Sequence, residues 1–143
     1  MKSRVVLDTN QIVAAGTRWI DPLYVNSSEA IELIRTVARD HTGLYTGKVM
    51  GEYVEKLLDL GHPPERVKQL SGLLMGVFEM VKVIARKCSP APSDPDDEVF
   101  ILCAIDGNAD YLVSNDDDLL SLKDHYNPPE ILDRKDALAI LQT

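Results

Sequence analysis

The sequence predicts an α/β fold, with a mostly parallel central sheet of about five short strands flanked by helices on both faces. Short apolar runs alternate with longer segments of helical periodicity. Capping and turn residues fall at the junctions between them. The 143 residues make one ordinary domain, 1–143, long enough to bury most of the apolar surface of the unfolded chain and too short for a second.

Arg4 to Leu7 is an apolar run ending in Asp-Thr-Asn, which reads as a buried strand entering a turn, with a helix over 11–15 after it. Residues 16–25, holding Trp19, Asp21-Pro22 and Tyr24, read as a loop. Asn26-Ser27-Ser28-Glu29 carries capping chemistry and starts a helix to about Asp40. Leu44 to Thr46 is the second strand, followed by a helix from Lys48 to Leu60 that stops at Gly61. Pro63-Pro64-Glu65 opens a helix to about Met80, and the alternation Val81-Lys82-Val83-Ile84 predicts the third strand. Prolines break the segment 87–93, and Asp94-Pro95-Asp96-Asp97 opens a helix ending near Gly107. Asp110 to Val113 is the fourth strand. A short helix over 116–120, a last strand at Glu130 to Leu132 and a helix from Asp133 to Leu141 complete the order.

Apolar residues make up 45% of the chain, without a run near the roughly 20 residues that span a bilayer, so no membrane segment is expected. Met1-Lys2-Ser3-Arg4 enters a strand without the apolar core of a secretory signal, which makes the cytoplasm the expected location. Cys88 and Cys103 lack a metal-type spacing and read as free thiols. A net charge of −8 argues against a phosphate-bearing ligand unless the acids gather where divalent cations bind and invert the local potential.

In open α/β sheets, functional groups collect beyond the carboxyl ends of the strands. An acid follows every one of the first four predicted strands: Asp8, Glu52 in the opening turns of the next helix, Asp97, and Asp116. Converging in one crevice, these acids would need protons or cations, and their hard oxygen ligands suit Mg2+ or Mn2+. Each acid also has an ordinary reading. Asp8 and Asp116 can cap helices, Glu52 stands four residues before Lys56 at ion-pair spacing, and Asp97 can close a capping box with Asp94.

The segments VVLDTN, GKVMGEYVEKL and SDPDDEVFILCAIDGNADYLVSNDDDLLSL, with the closing PPEIL, resemble PIN-domain proteins of the bacterial and archaeal toxin-component (VapC-like) group. That resemblance implies a three-layer fold and a metal-dependent ribonuclease. It implies Asp8, Glu52, Asp97 and Asp116 as catalytic, metal-binding acids, Asp118 as an accessory acid, and Asn10 and Ser114 as small polar groups supporting them. It also implies an RNA substrate, single-stranded or structured, and an antitoxin protein as partner. Asn115 stands where a basic residue or glycine is frequent in the family.

Other residues carry paired readings. Arg18 and Trp19 suit a stacking platform for RNA, or, for the tryptophan, the edge of the core. Lys48, Arg35 and Arg39 suit phosphate contacts or a solvated face. His41, His62 and His125 have no ligand spacing and receive no role. The apolar face of Val67, Leu70, Leu73, Leu74 and Val77 suits the core, and part of it a homodimer or antitoxin surface. Two other functions stand beside the nuclease. One is a PIN-fold module that binds RNA or protein without catalysis. The other is a phosphohydrolase using Asp8 as nucleophile, resembling the haloacid-dehalogenase family, although Asn10 replaces that family's second aspartate.

Overall fold

The computed structural model describes residues 2–84 and 87–143. Five parallel strands form one sheet in the order β3-β2-β1-β4-β5: β1 (Arg4–Leu7), β2 (Thr42–Tyr45), β3 (Glu79–Met80), β4 (Tyr111–Val113) and β5 (Glu130–Leu132). The helices among the described residues are α1 (Thr9–Ala15), α2 (Glu29–Asp40), α3 (Gly47–Asp59), α4 (Pro64–Val77), α5 (Glu98–Asp106), α6 (Asp117–Leu120) and α7 (Arg134–Leu141). This is the expected three-layer α/β arrangement. Val5, Val6 and Leu7 are consecutive and all fully buried, which requires both faces of the sheet to be covered, because alternate side chains point to opposite faces.

The caps fall where short polar side chains precede apolar periodicity. Ser28 accepts from the Ile31 amide, Thr46 from Val49 and Asp133 from Asp136. Helix α2 packs on α1 and α7, and α3 packs on α1, α4 and α5. No helix among the described residues is long and apolar enough to cross a membrane. Both cysteines are free and buried.

The third strand departs from expectation. It lies at Glu79–Met80, not over 81–84, and the preceding helix ends at Val77, short of Met80. Phe78 leaves the helix in extended backbone and lays its ring over Gly43, where any Cβ would stand 2.6 Å from that ring. Only glycine fits at that crossing. Glu79 is then held by Arg4 at 2.6 Å, and the Val81 amide makes a last bond to the Tyr45 carbonyl at 2.7 Å. Beyond it Val83 and Ile84 are exposed.

Candidate active site

The chain steps from β1 through β2 to β3 on one side, then returns to place β4 on the other side of β1. The carboxyl ends of β1 and β4 therefore flank the point where strand order reverses, the usual position of a binding crevice in such sheets. A cleft of about 210 Å³ opens there, lined by Asp8, Thr9, Asn10, Glu52, Lys56, Asp94, Asp96, Asp97, Phe100 and Asp116. All four strand-following acids thus border one cleft, delivered by four separate stretches of chain.

Asp8 sits at the end of β1 and is only 3% exposed. Its Oδ1 caps α1 by accepting from the Gln11 amide at 3.3 Å, and its Oδ2 accepts from the Ser114 hydroxyl at 2.5 Å. Ser114 Oγ in turn accepts from the Asp116 amide at 3.0 Å, so one serine links the two acids across the β1–β4 junction. Asp116 Oδ1 caps α6 through the Asp118 amide at 2.9 Å. The capping readings of Asp8 and Asp116 therefore coexist with their place in the cleft. Burial raises the Asp8 carboxyl above its ordinary pKa, opposed by the bonds from Ser114 and Gln11 and aided by the nearby Asp116 charge.

Asp97 does not close a capping box. The Asp94 amide, which its side chain would have to accept from, donates instead to Asp118 Oδ2 at 3.0 Å, and Asp97 makes no cap bond of its own at the start of α5. Its Oδ2 is buried without a hydrogen-bond partner. Burial first, then the Asp116 charge, the hydrogen bond with Asp118 and the charges of Asp94 and Asp118 push Asp97 up to about 7. Glu52 is also raised, by burial and by the charges of Asp96, Glu55 and Asp94. It makes no ion pair with Lys56; those among the described residues are Arg4–Glu79, Arg39–Asp40 and Arg66–Asp21.

Several expected site residues stand elsewhere or do something else. Asp118 spends both carboxylate oxygens on the Ser93 and Asp94 amides, at 2.9 and 3.0 Å, which lowers its pKa and makes it a clamp on the loop before α5. Asn10 lines the cleft but is exposed and makes no hydrogen bond to the acids. Trp19 is 8% exposed, donates Nε1–H to the Gly16 carbonyl, and lines an apolar recess between α2 and α4, so it offers no stacking platform at the cleft. Arg18 is exposed and lies over the Tyr24 ring at 5.8 Å. Lys48 lines a separate recess with Val83, Glu98 and Leu102. Among the described residues, the basic one lining the cleft is Lys56.

Sequence reasoning missed three further features. Asp94 and Asp96 join the lining, although they read only as helix-opening residues. Tyr53 is buried beneath the cleft and donates to the Leu7 carbonyl. Asn115 accepts from Gln11 Nε2 and the Arg134 amide while Arg134 Nε donates to Gln11 Oε1, tying α1, the β4 loop and α7 together. None of these has a local signal.

Among the described residues no three His, Cys, Asp or Glu side chains stand closed on a common point as a formed metal site. Carboxylates without a cation repel, and here Asp8 turns to the Gln11 amide and Ser114, Asp116 to the Asp118 amide, and Asp97 is raised toward its protonated form. The donor set still fits a hard divalent cation: all candidate ligands are carboxylate oxygens, and the buried, unpartnered Asp97 Oδ2 is an acceptor awaiting a positive partner.

A family model described as PIN domain matches residues 4–118. The chain is similar in structure to one in the crystal structure of VapBC2 from Rickettsia felis bound to a DNA fragment from their promoter, with a TM-score of 0.59 and 18% identity over 90% of this chain and 96% of that one. No curated protein matches.

Proposed function

The chain belongs to the PIN-domain family, and from that premise we propose that it is a Mg2+- or Mn2+-dependent endoribonuclease, the toxin component of a toxin–antitoxin pair. The supporting observation is the gathering of Asp8, Glu52, Asp97 and Asp116 at the strand-order reversal, with the Oδ2 atom of Asp97 buried and without a hydrogen-bond partner. These four acids would hold the cation. When bound, a divalent ion supplies Lewis acidity, making an attacking water more acidic and offsetting charge on the phosphodiester. Ser114 binds Asp8 Oδ2 and the Asp116 amide and so fixes the orientation of the Asp8 carboxylate at the strand junction. Lys56 offers a positive charge to a phosphate entering beside Glu52.

The phosphohydrolase reading loses ground, because a nucleophilic Asp8 would have to attack from a 3% exposed carboxylate with hydrogen bonds on both oxygens. A binding module without catalysis is the remaining reading, and the presence of all four acids at one cleft speaks against it. One assay separates the three. With manganese the protein is expected to cut a short single-stranded RNA and not p-nitrophenyl phosphate, to stop in EDTA, and to lose activity on Asp8→Asn with the fold intact. Cleavage by a folded Asp8→Asn protein refutes the nuclease reading, and neither substrate cut favours the module.

Partners belong to the same proposal. The Rickettsia felis protein is in a VapBC2 assembly, and an antitoxin is proposed here for this chain. Helix α4 buries Val67, Leu70 and Leu74 yet leaves Leu73 and Val77, four residues apart on one face, exposed at 41% and 51%, an apolar pair suited to a homodimer or antitoxin contact. A dimer in sedimentation at micromolar concentration is expected, in a cytoplasmic protein.

A further inference from the structure

We propose that Tyr53 is a positioning residue that sets the spacing of Asp8, Glu52 and Asp97 for a divalent cation; this rests on the reading of the cleft as a metal site. Tyr53 directly follows Glu52 on α3 and is 1% exposed. Its hydroxyl donates to the carbonyl of Leu7, the residue immediately before Asp8, at 2.5 Å. Its ring stacks on Phe100 with centroids 6.4 Å apart and planes 24° apart. Phe100 lies one helical turn beyond Asp97 and itself lines the cleft. One rigid side chain thus adjoins the backbone that carries three of the four acids, and each of the three comes from a different element.

The hydroxyl is the informative group. A core position under β1 needs only an apolar ring, and phenylalanine fills nearly the same volume; a buried hydroxyl must find an acceptor, and this one finds it at the carboxyl end of the strand that delivers Asp8. The cleft acids repel one another, which favours α3 and α5 moving away from β1. Tyr53 opposes that spread through a hydrogen bond on one side and a stacked ring on the other. Groups that orient ligands without touching the ion control its affinity, because they decide how much reorganisation binding requires.

The test is manganese titration followed by the electron paramagnetic resonance signal of free Mn2+, which reads binding without requiring turnover. Tyr53→Phe is expected to fold, by circular dichroism, and to bind Mn2+ about tenfold more weakly than the wild type. Phe100→Leu, which breaks the tie to α5, is expected to weaken binding in the same direction and decides the matter should Tyr53→Phe fail to fold. Leu70→Val, on a helix that lends no residue to the cleft, is expected to lower the melting temperature while leaving Mn2+ affinity unchanged. Wild-type affinity in folded Tyr53→Phe overturns the positioning role alone, as does equal weakening by Leu70→Val. A wild type that binds no Mn2+ overturns the metal reading and this inference with it.

Discussion

Replacing Asp97 by asparagine is expected to stabilise the metal-free protein at alkaline pH. Asp97 is pushed up to about 7, whereas an unfolded aspartate titrates near about 3.9. The native state therefore holds a proton that the unfolded chain releases. The sign follows: the protein has its full stability below about pH 4 and loses part of it as pH rises through about 7. A shift of about 3 units sets a ceiling near 4 kcal/mol, and partial exposure of the carboxyl to solvent screens this to about 1–2 kcal/mol. Asparagine keeps the shape without the charge. At pH 8 in EDTA the variant should melt roughly 3–6 °C above the wild type, and at pH 4 the two should coincide. Millimolar manganese should stabilise the wild type by mass action and the variant much less. Thermal melts at both pH values, with EDTA and with manganese, read all of this. A residue that merely supported the start of α5 would instead lose about 1 kcal/mol on substitution at every pH above its titration. A variant that melts below the wild type at pH 8 in EDTA yet keeps the full manganese shift refutes the reasoning.

Ser114→Ala removes the bond to Asp8 and the acceptor of the Asp116 amide, and should cost about 1.5–3 kcal/mol in chemical denaturation; a loss below about 0.5 kcal/mol would mean that water replaces the hydroxyl at no cost. Asp118→Ala releases the Ser93 and Asp94 amides, so limited proteolysis should cut within residues 87–94 faster than in the wild type, at unchanged global stability. Lys56→Gln should weaken binding of single-stranded RNA to the manganese-loaded Asp8→Glu protein and reduce the slope of log affinity against log salt by about 0.7. An unchanged slope would return Lys56 to the solvated face.

The order of strands and helices along the chain, the caps and the position of each acid after its strand were legible because they depend on local pattern. What escaped depends on contacts distant in sequence. The third strand was placed over 81–84 because Val-Lys-Val-Ile alternates, but the register is set by Phe78 lying over Gly43 and by Glu79 reaching Arg4, 75 residues away. Asp118 resembles an accessory acid in its segment, and its clamp role appears only once the loop at Ser93 and Asp94 folds against it. Lys48 and Lys56 both lie four residues from Glu52, so helical phase cannot separate them. Position along α3 does: Lys48 meets Val83 and Leu102, while Lys56 shares the cleft with Asn10 of α1. Trp19 permitted two readings in sequence, and in the structure it is 8% exposed with its Nε1–H on the Gly16 carbonyl, at the edge of the core.

The acidic balance, which argued against a phosphate ligand, changes meaning once the acids are located. The cleft is lined by six carboxylates, Asp8, Glu52, Asp94, Asp96, Asp97 and Asp116, and setting these six negative charges aside takes the formal −8 to −2. The remainder of the surface is close to neutral, so repulsion of RNA originates mainly at the site where RNA would be cut. Charges separated by more than about 10 Å are largely screened at 0.1 M salt, so local charge at the cleft decides the interaction. Without divalent cations, added salt should relieve repulsion and raise RNA affinity. With manganese bound, the cleft and Lys56 attract phosphate, and added salt should lower affinity by counterion release. The sign of the salt dependence should therefore reverse between EDTA and manganese when a fluorescent single-stranded RNA is titrated with Asp8→Glu protein, which keeps the acidic charge while displacing the carboxylate. The same sign in both conditions would mean that RNA is held on a surface outside the acidic cleft.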